Sequence, residues 1–343
     1  MHRNLLSICI PTYNFGKFIG QTLDSILPNL AEGVEIVILD GGSTDDTAQI
    51  VAKRQQNFPQ INYYQQGFRG GIDRDIAKVI SLASGDYCWL FSADDLMMAG
   101  SIEKILNYIQ SNCDVYLCEH TLCNYEMQPI NAYPIFNHIT SPEIFDLGNK
   151  SHRQRYFGNA ITSEAFFSFL SGPIFKRYIW EKADCIPESF YATCWGLAGR
   201  LLSLVPSGLQ VRYLGESLLY KRGGNDSFRE QGVVKRFQIS VDGLGHIAET
   251  IFGRYSQEAF HIRRVIRNEW TLRNVLSIKL LTATFPQQED IETLKIVVGR
   301  HYLNAGFWNM LKYVVFIAMP ISLLKLISLL KKQLFKRFSF SPG

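Results

Sequence analysis

No acidic residue occurs between Lys312 and Gly343, a stretch that holds Lys312, Lys325, Lys331, Lys332, Lys336 and Arg337. The formal charge of +4 therefore belongs to the end of the chain, and without those six cations the remainder carries −2. This speaks against nucleic acid as a partner and for an anionic membrane surface at the tail. Closely paired cysteines are missing too. The seven thiols (Cys9, Cys88, Cys113, Cys118, Cys123, Cys185, Cys194) are scattered and odd in number, as expected of reduced, buried cysteines in a cytoplasmic protein. The five-residue spacing of Cys113, Cys118 and Cys123 does not match a zinc knuckle. Residues 1–6 run into an apolar strand without a cleavable apolar leader, so nothing there directs export. No Gly-X-Gly-X-X-Gly follows the first apolar run, which disfavours a dinucleotide-dependent dehydrogenase. Internal repeats and low-complexity segments are also lacking.

With 343 residues, 47% of them hydrophobic and 19% charged, the chain is long enough for a large domain with appendages. Strand and helix patterns alternate at first: strands near 5–11, 34–40, 61–65, 86–92 and 114–118, helices near 17–29, 43–57, 73–84 and 99–111. That alternation predicts an α/β doubly wound layout. Ligands in such sheets bind beyond the carboxyl ends of the strands, where Thr12, Tyr13, Asn14 and Asp40 fall. Ser43 with Asp46 three residues on reads as a capping box opening the second helix.

The fourth strand, Gly85-Asp86-Tyr87-Cys88-Trp89-Leu90-Phe91, runs into Ser92-Ala93-Asp94-Asp95. Two acids at that edge suit Mg²⁺ or Mn²⁺, hard ions needing only one or two carboxylates when a nucleoside diphosphate supplies further oxygens. The alternative is that Asp94 and Asp95 cap the next helix. Residues from about 119 to 230, richer in Pro, Gly, Tyr and Phe, read as a substrate-binding extension built from loops. From about 233 to 284 the pattern is helical. One helix over 258–281 has Ile262, Val265, Ile266, Leu272, Val275 and Leu276 on its apolar side and Arg263, Arg264, Arg267 and Arg273 on a solvated face.

The succession Pro11-Thr12-Tyr13-Asn14, Asp40-Gly41-Gly42-Ser43-Thr44-Asp45, Gly85-Asp86-Tyr87 and the Asp94-Asp95 pair resembles the family 2 glycosyltransferases over roughly residues 5–110. These are enzymes of the A-type glycosyltransferase fold that use nucleotide-sugar donors. The segments Gly70-Gly71-Ile72-Asp73-Arg74-Asp75 and Lys221-Arg222-Gly223-Gly224-Asn225-Asp226-Ser227-Phe228, with Cys88-Trp89-Leu90-Phe91, look most like abequosyltransferase-type enzymes of O-antigen assembly. The resemblance implies that Thr12, Tyr13 and Asp40 hold the nucleoside and that Arg74 lies near an arginine facing the nucleotide. Asp94 matches the last acid of the Asp-X-Asp metal motif and Asp95 the acid that often follows it.

Two departures stand out. Ser92 replaces the first acid of that motif, and Thr193-Cys194 replaces the acid pair that usually supplies the general base, upstream of an arginine matched by Arg200. Asp184 and Glu188 are the nearest acids to the missing pair and become the candidate bases, with Glu119 a further acid. Lys221 and Arg222, beside Gly223-Gly224, are placed to close over the diphosphate, unless they form an ordinary exposed turn.

The expected architecture is a Rossmann-like nucleotide-sugar-binding region at 1–118, an acceptor-binding part at 119–232, a helical extension at 233–310 and a basic tail at 311–343. Residues 313–330 hold one charge and one proline, marginal against the roughly 20 apolar residues of a spanning helix. Ser322, Lys325, Lys332 and Lys336 recur at helical spacing away from Leu323, Leu324, Ile327, Leu330 and Leu334, which predicts an in-plane amphipathic helix. The expected protein is a peripheral enzyme of the cytoplasmic face of the inner membrane. It moves one sugar from a nucleotide donor to a polyprenol-linked saccharide with a divalent cation, Mg²⁺ or Mn²⁺. A catalytically silent, nucleotide-sugar-binding partner of another transferase is the alternative. A processive synthase is disfavoured, since the chain has neither several spanning helices nor a Gln-X-X-Arg-Trp motif.

Overall fold

The structure, a computed structural model, describes residues 5–139, 142–183, 188–190, 193–225, 231–286, 290–303 and 305–338, with the backbone alone for Glu188 and for 331–338. It divides into two compact units: Met1–Asp226 with Ile247–Ile262, and Ser227–His246 with Arg263–Gly343.

The first unit opens with β1 (Leu6–Thr12), α1 (Gly16–Ile26), β2 (Val34–Asp40), α2 (Thr47–Gln55), β3 (Ile61–Gln65), α3 (Ile72–Leu82), β4 (Tyr87–Leu90), β5 (Leu96–Met97) and α4 (Ser101–Tyr108). It continues with β6 (Val115–Cys123), β7 (Pro129–Tyr133), β8 (Glu143–Asp146), α5 (Lys150–Asn159), β9 (Pro173–Lys176), α6 (Arg177–Lys182), α7 (Gly196–Ser203) and β10 (Gln210–Arg222). Every residue of β1, β2 and β4 is buried, which explains why their sequences are near-continuous apolar runs: helices or loops cover the sheet on both faces. On one face Ile8, Ile10, Ile36, Ile38, Trp89 and Phe91 pack with Ile19, Leu23 and Ile26 of α1 and Ile102 and Ile105 of α4.

The strand order is β3-β2-β1-β4-β9-β6-β10-β5, with β7 beside β6 and β8 beside β10. Strands β1 to β4 are parallel, but β9 enters antiparallel between β4 and β6, so the sheet is mixed. The stretch expected to be loops thus supplies four strands, and β10, 13 residues long, runs parallel to β6. A second correction concerns α2, which begins at Thr47 rather than at residue 43. The Ser43 amide donates to Asp40 Oδ1 at 2.7 Å and its Oγ accepts from the Asn14 amide at 2.8 Å, so Ser43 braces the strand-end loops. Asp45 does the work near the helix start, accepting from the Thr47 amide at 3.1 Å.

The second unit takes in α8 (Val233–Gln238), while α9 (Gly245–Phe252) and α10 (Gln257–Glu269) each contribute residues to both units. It continues with α11 (Leu272–Thr284), α12 (Ile291–Tyr302), α13 (Phe307–Ala318) and α14 (Ile321–Phe338). Its core is built from Val234, Phe237, Val275, Ile278, Leu294, Val297, Val298, Tyr302 and Phe316. The single helix expected over 258–281 is two, because Thr271 caps α11 and Asn274 bonds back in a reciprocal capping box. Arg263, Arg264 and Arg267 are half-buried rather than solvated, and burial together with Arg263 lowers Arg267 to about 10.

The tail also breaks. Pro320 separates α13 from α14 with a 94° bend, and no single helix among the described residues is long and apolar enough to cross a membrane. Lys279 Nζ fixes the elbow by donating to the carbonyls of Phe316 at 2.5 Å and Met319 at 2.9 Å, groups left without helical partners at the end of α13. Leu324 is turned inward, whereas Phe307, Trp308, Leu323, Leu326, Ile327, Leu329 and Leu330 are exposed.

Candidate active site

The carboxyl ends of β1 and β2 meet through a hydrogen bond from the Gly41 amide to the Thr12 carbonyl at 2.9 Å. Asp40 is wholly buried there. Its Oδ1 takes the Ser43 amide and its Oδ2 the Tyr63 hydroxyl at 2.5 Å, so the carboxylate is set in place by the protein itself. Burial, and then the Asp40 charge, push the Tyr63 phenol above its ordinary value, which keeps it a donor. Thr12 is 6% exposed and its Oγ1 has no hydrogen-bond partner among the described residues. A buried hydroxyl in that condition carries an uncompensated cost unless a ligand supplies the partner. Tyr13 is half-buried and has the Arg69 guanidinium 4.5 Å above its ring. Asn14 adopts φ 55° and accepts from the Thr44 amide at 2.8 Å, tying the two loops together.

Arg74 is exposed on the first turn of α3. Its neighbours Asp73 and Asp75 are buried and point to different partners. Asp75 accepts from Gln66 Nε2 at 2.8 Å. Asp73 accepts from the Cys194 amide at 3.0 Å and the Gly196 amide at 2.9 Å, at the start of α7. Burial raises Asp73 to about 6, against the lowering effect of those two amides.

Beyond β4, Asp94 and Asp95 diverge. Asp94 accepts from the Ser92 hydroxyl at 2.5 Å and from Asn225 Nδ2 at 2.7 Å. Asp95 is turned into the protein, where it accepts from the Ser171 hydroxyl at 2.9 Å and the Arg222 amide at 3.1 Å. Burial and the neighbouring Asp94 push Asp95 up to about 7. Arg222 is itself buried, donating to the Asp94 carbonyl at 3.1 Å and to Gln21 Oε1 at 2.8 Å with Phe18 under its guanidinium. It is a strut in this structure rather than an exposed turn. Lys221 Nζ donates to Glu164 Oε1 at 3.1 Å and lies 4.2 Å from the Phe169 ring centroid. Burial, the largest influence on Glu164, pushes it up, but Lys221 and His120 outweigh it and the group ends below its ordinary value. Glu119 is engaged by the Tyr213 hydroxyl and the Ile135 amide.

Asp184 lies outside the described residues, and of Glu188 only the backbone is described. Among the described residues no three His, Cys, Asp or Glu side chains converge. The donor set nonetheless fits a hard cation of the kind that keeps its waters: Asp94 offers a carboxylate, and diphosphate oxygens would complete the shell. Both carboxylates are buried with both oxygens accepting hydrogen bonds, Asp94 from the side chains of Ser92 and Asn225 and Asp95 from the Ser171 hydroxyl and the Arg222 amide. Sequence reasoning passed over Asp73, Tyr63 and Ser171; for Asp73 the one available signal was an acid in the first turn of a helix beginning beside the nucleotide loops.

The family profile described as Glycosyl transferase family 2 matches residues 7–175. An abequosyltransferase of Salmonella typhimurium is 31% identical over 257 residues, 73% of this chain and 76% of that protein. An uncharacterized glycosyltransferase of Mycoplasma pneumoniae is 24% identical over 310 residues, 88% of this chain and 90% of its own. Among solved structures, residues 1–349 of TarS from S. aureus in complex with UDP-GlcNAc superpose with a TM-score of 0.60 at 16% identity, over 91% of this chain and 89% of that one. A mannosyltransferase from Pyrobaculum calidifontis, in complex with GDP-Man and Mn²⁺, gives 0.52 at 13% identity, over 95% and 87%. These two likenesses show a shared fold, the A-type glycosyltransferase fold. The sequence relationship goes further, and with strand ends that carry Thr12, Asp40 and Asp94 it makes the chain a glycosyltransferase belonging to family 2.

Proposed function

We propose that this glycosyltransferase moves a single sugar from a nucleotide-sugar donor to a lipid-linked glycan acceptor in bacterial surface-polysaccharide synthesis, working as a peripheral protein on the cytoplasmic face of the inner membrane. The observation that carries the donor side is the Thr12–Asp40 junction, where a buried hydroxyl without a partner lies beside a buried carboxylate held by Tyr63 and Ser43. Asp40 contacts the base or ribose, Thr12 and Tyr13 line the nucleoside, and Arg74 faces the nucleotide. A divalent cation, Mg²⁺ or Mn²⁺, held by Asp94 would offset charge on the departing diphosphate. Asp95, through Ser171 and the Arg222 amide, fixes the loop that presents Asp94. Lys221 supplies a cation near the same edge.

The acceptor side rests on residues 119–232, and the helical part at 233–310 with the basic tail at 311–343 brings the enzyme to the lipid. Exposed apolar side chains of α13 and α14 lie in a stretch with lysines and no acid, a combination that suits an anionic interface. A screen of nucleotide sugars against a membrane-lipid extract, read as nucleoside diphosphate released, tests the reading. Release that depends on both donor and lipid supports it; no release with any donor refutes it.

A further inference from the structure

We infer that Asp73 is the general base of the transfer reaction, delivered by α3 to the place where this chain has Thr193-Cys194 instead of an acid. The inference rests on the function proposed above. Displacement at an anomeric carbon needs a carboxylate to take the acceptor's proton, and the segment before α7 has none in its own sequence at 193–196. The fold brings one there from 123 positions away: the Asp73 carboxylate lies across the amides of Cys194 and Gly196.

The fit at Gly196 is close. A Cβ on Gly196 would come 2.9 Å from Asp73 Oδ1 and 3.0 Å from its Cγ, so any larger residue would push the carboxylate away. The same first turn of α3 also reaches the donor loops. Asp75 Oδ2 stands 3.4 Å from where a Gly41 Cβ would be, next to Asp40. One helical turn thus meets both the loop after β2 and the start of α7.

The chemical state of Asp73 agrees with the role. Among the described residues it pairs with no lysine or arginine, and burial raises it to about 6, where a carboxylate is ionised at neutral pH yet basic enough to accept a proton. The other charged groups on α3 and α7 are Arg74, Asp75 and the exposed Lys78 on α3 and Arg200 on α7, and Arg200 donates to the Trp180 carbonyl and lies over the Trp180 ring. In the step, an acceptor hydroxyl oxygen bonds to the anomeric carbon as that carbon's bond to the diphosphate oxygen breaks. The bonding pair leaves with the nucleoside diphosphate, and the hydroxyl proton passes to Asp73, which then returns it to water.

The test compares full-length wild type with Asp73→Asn and Gly196→Ala, using the donor that wild type accepts. Asparagine keeps one acceptor oxygen, enough for the Cys194 or the Gly196 amide but not for both, and is no base. Asp73→Asn is expected to bind nucleoside diphosphate within about 3-fold of wild type while kcat falls about 10²- to 10⁴-fold, a usual range for loss of a general base. The acid limb of the wild-type kcat profile, near pH 6, should vanish with it. Asp73→Asn turnover within about 3-fold of wild type with the limb intact would show that Asp73 merely caps α7, and would overturn the inference. Should Asp73→Asn fail to fold, Gly196→Ala decides: a lower kcat at unchanged nucleotide affinity supports the role, and an unchanged kcat overturns it. Wild type that releases no nucleoside diphosphate with any donor overturns the donor reading itself, a result distinct from an active Asp73→Asn enzyme.

Discussion

Tyr63 holds Asp40 by a hydrogen bond of 2.5 Å from its hydroxyl to Oδ2, reaching from the middle of β3 to the last residue of the adjacent parallel strand β2. The bond orders the carboxylate before any ligand arrives, which removes part of the ordering cost from binding.

Asp40→Ala should therefore weaken donor and free nucleoside diphosphate together. The loss expected for a charged hydrogen bond is roughly 1.5–3 kcal/mol, about 10- to 150-fold in affinity. Tyr63→Phe should weaken binding less, since the Ser43 amide still holds Oδ1. Titration calorimetry with the nucleoside diphosphate reads both, and equal affinities for wild type and Asp40→Ala would remove Asp40 from the site.

Asp94 and Asp95 are adjacent in sequence but should separate on mutation. Asp94→Ala is expected to abolish cation-dependent turnover while leaving the thermal midpoint within a few degrees. Asp95→Asn should keep the cation requirement, because Asp95 faces Ser171 and Arg222 and its raised value means that a neutral group is already tolerated there. Activity against Mn²⁺ concentration distinguishes them; a lost cation response in Asp95→Asn would make it a ligand as well.

Strands β1, β2 and β4 could be read from sequence because burial on both faces makes them near-continuous apolar runs bounded by Pro, Gly or Asp. Strand β9 could not: it has only four residues, and its place between β4 and β6 is set by pairing across more than fifty positions. Strand β10 was hidden by its irregular register between Tyr213 and Leu219, which breaks the alternation that marks a strand. Thr12, Asp40 and Asp94 were visible as polar residues closing apolar runs. Asp73 was not, because its meaning depends on α3 meeting α7.

His301 makes stability pH-dependent in the second unit. Burial, the main cause, lowers it to about 4, so the native state refuses a proton that the unfolded chain accepts near 6.5. Between those values the unfolded state binds more protons, so stability is fully present above about pH 6.5 and falls as pH drops toward 4. The loss is on the order of 3 kcal/mol for that shift. Denaturation of His301→Gln at pH 7 and pH 4.5 should show a smaller difference than wild type; an equal difference would place the acid sensitivity elsewhere.

The tail prediction follows from the elbow at Pro320. Reversing Lys325, Lys332 and Lys336 to Glu should release much of the protein from anionic vesicles, since each basic residue near such a surface contributes about 1 kcal/mol. Deletion must begin after Met319, because Phe316 belongs to the second unit's core and the Phe316 and Met319 carbonyls are the partners of Lys279. Flotation of the truncated protein with vesicles as strongly as wild type would put the anchor outside α14.

The central claim is transfer from a nucleotide sugar to a lipid-linked glycan, and a single dual-label assay addresses it. Wild type and Asp94→Ala are incubated with each sugar-labelled donor, Mn²⁺ and polyprenol-linked saccharides extracted from membranes, and both nucleoside diphosphate and organic-phase label are followed. The account predicts one donor for which wild type releases nucleoside diphosphate in step with label entering the lipid phase, and Asp94→Ala does neither. Nucleoside diphosphate release with no label in the lipid phase, or equal transfer by Asp94→Ala, would contradict it.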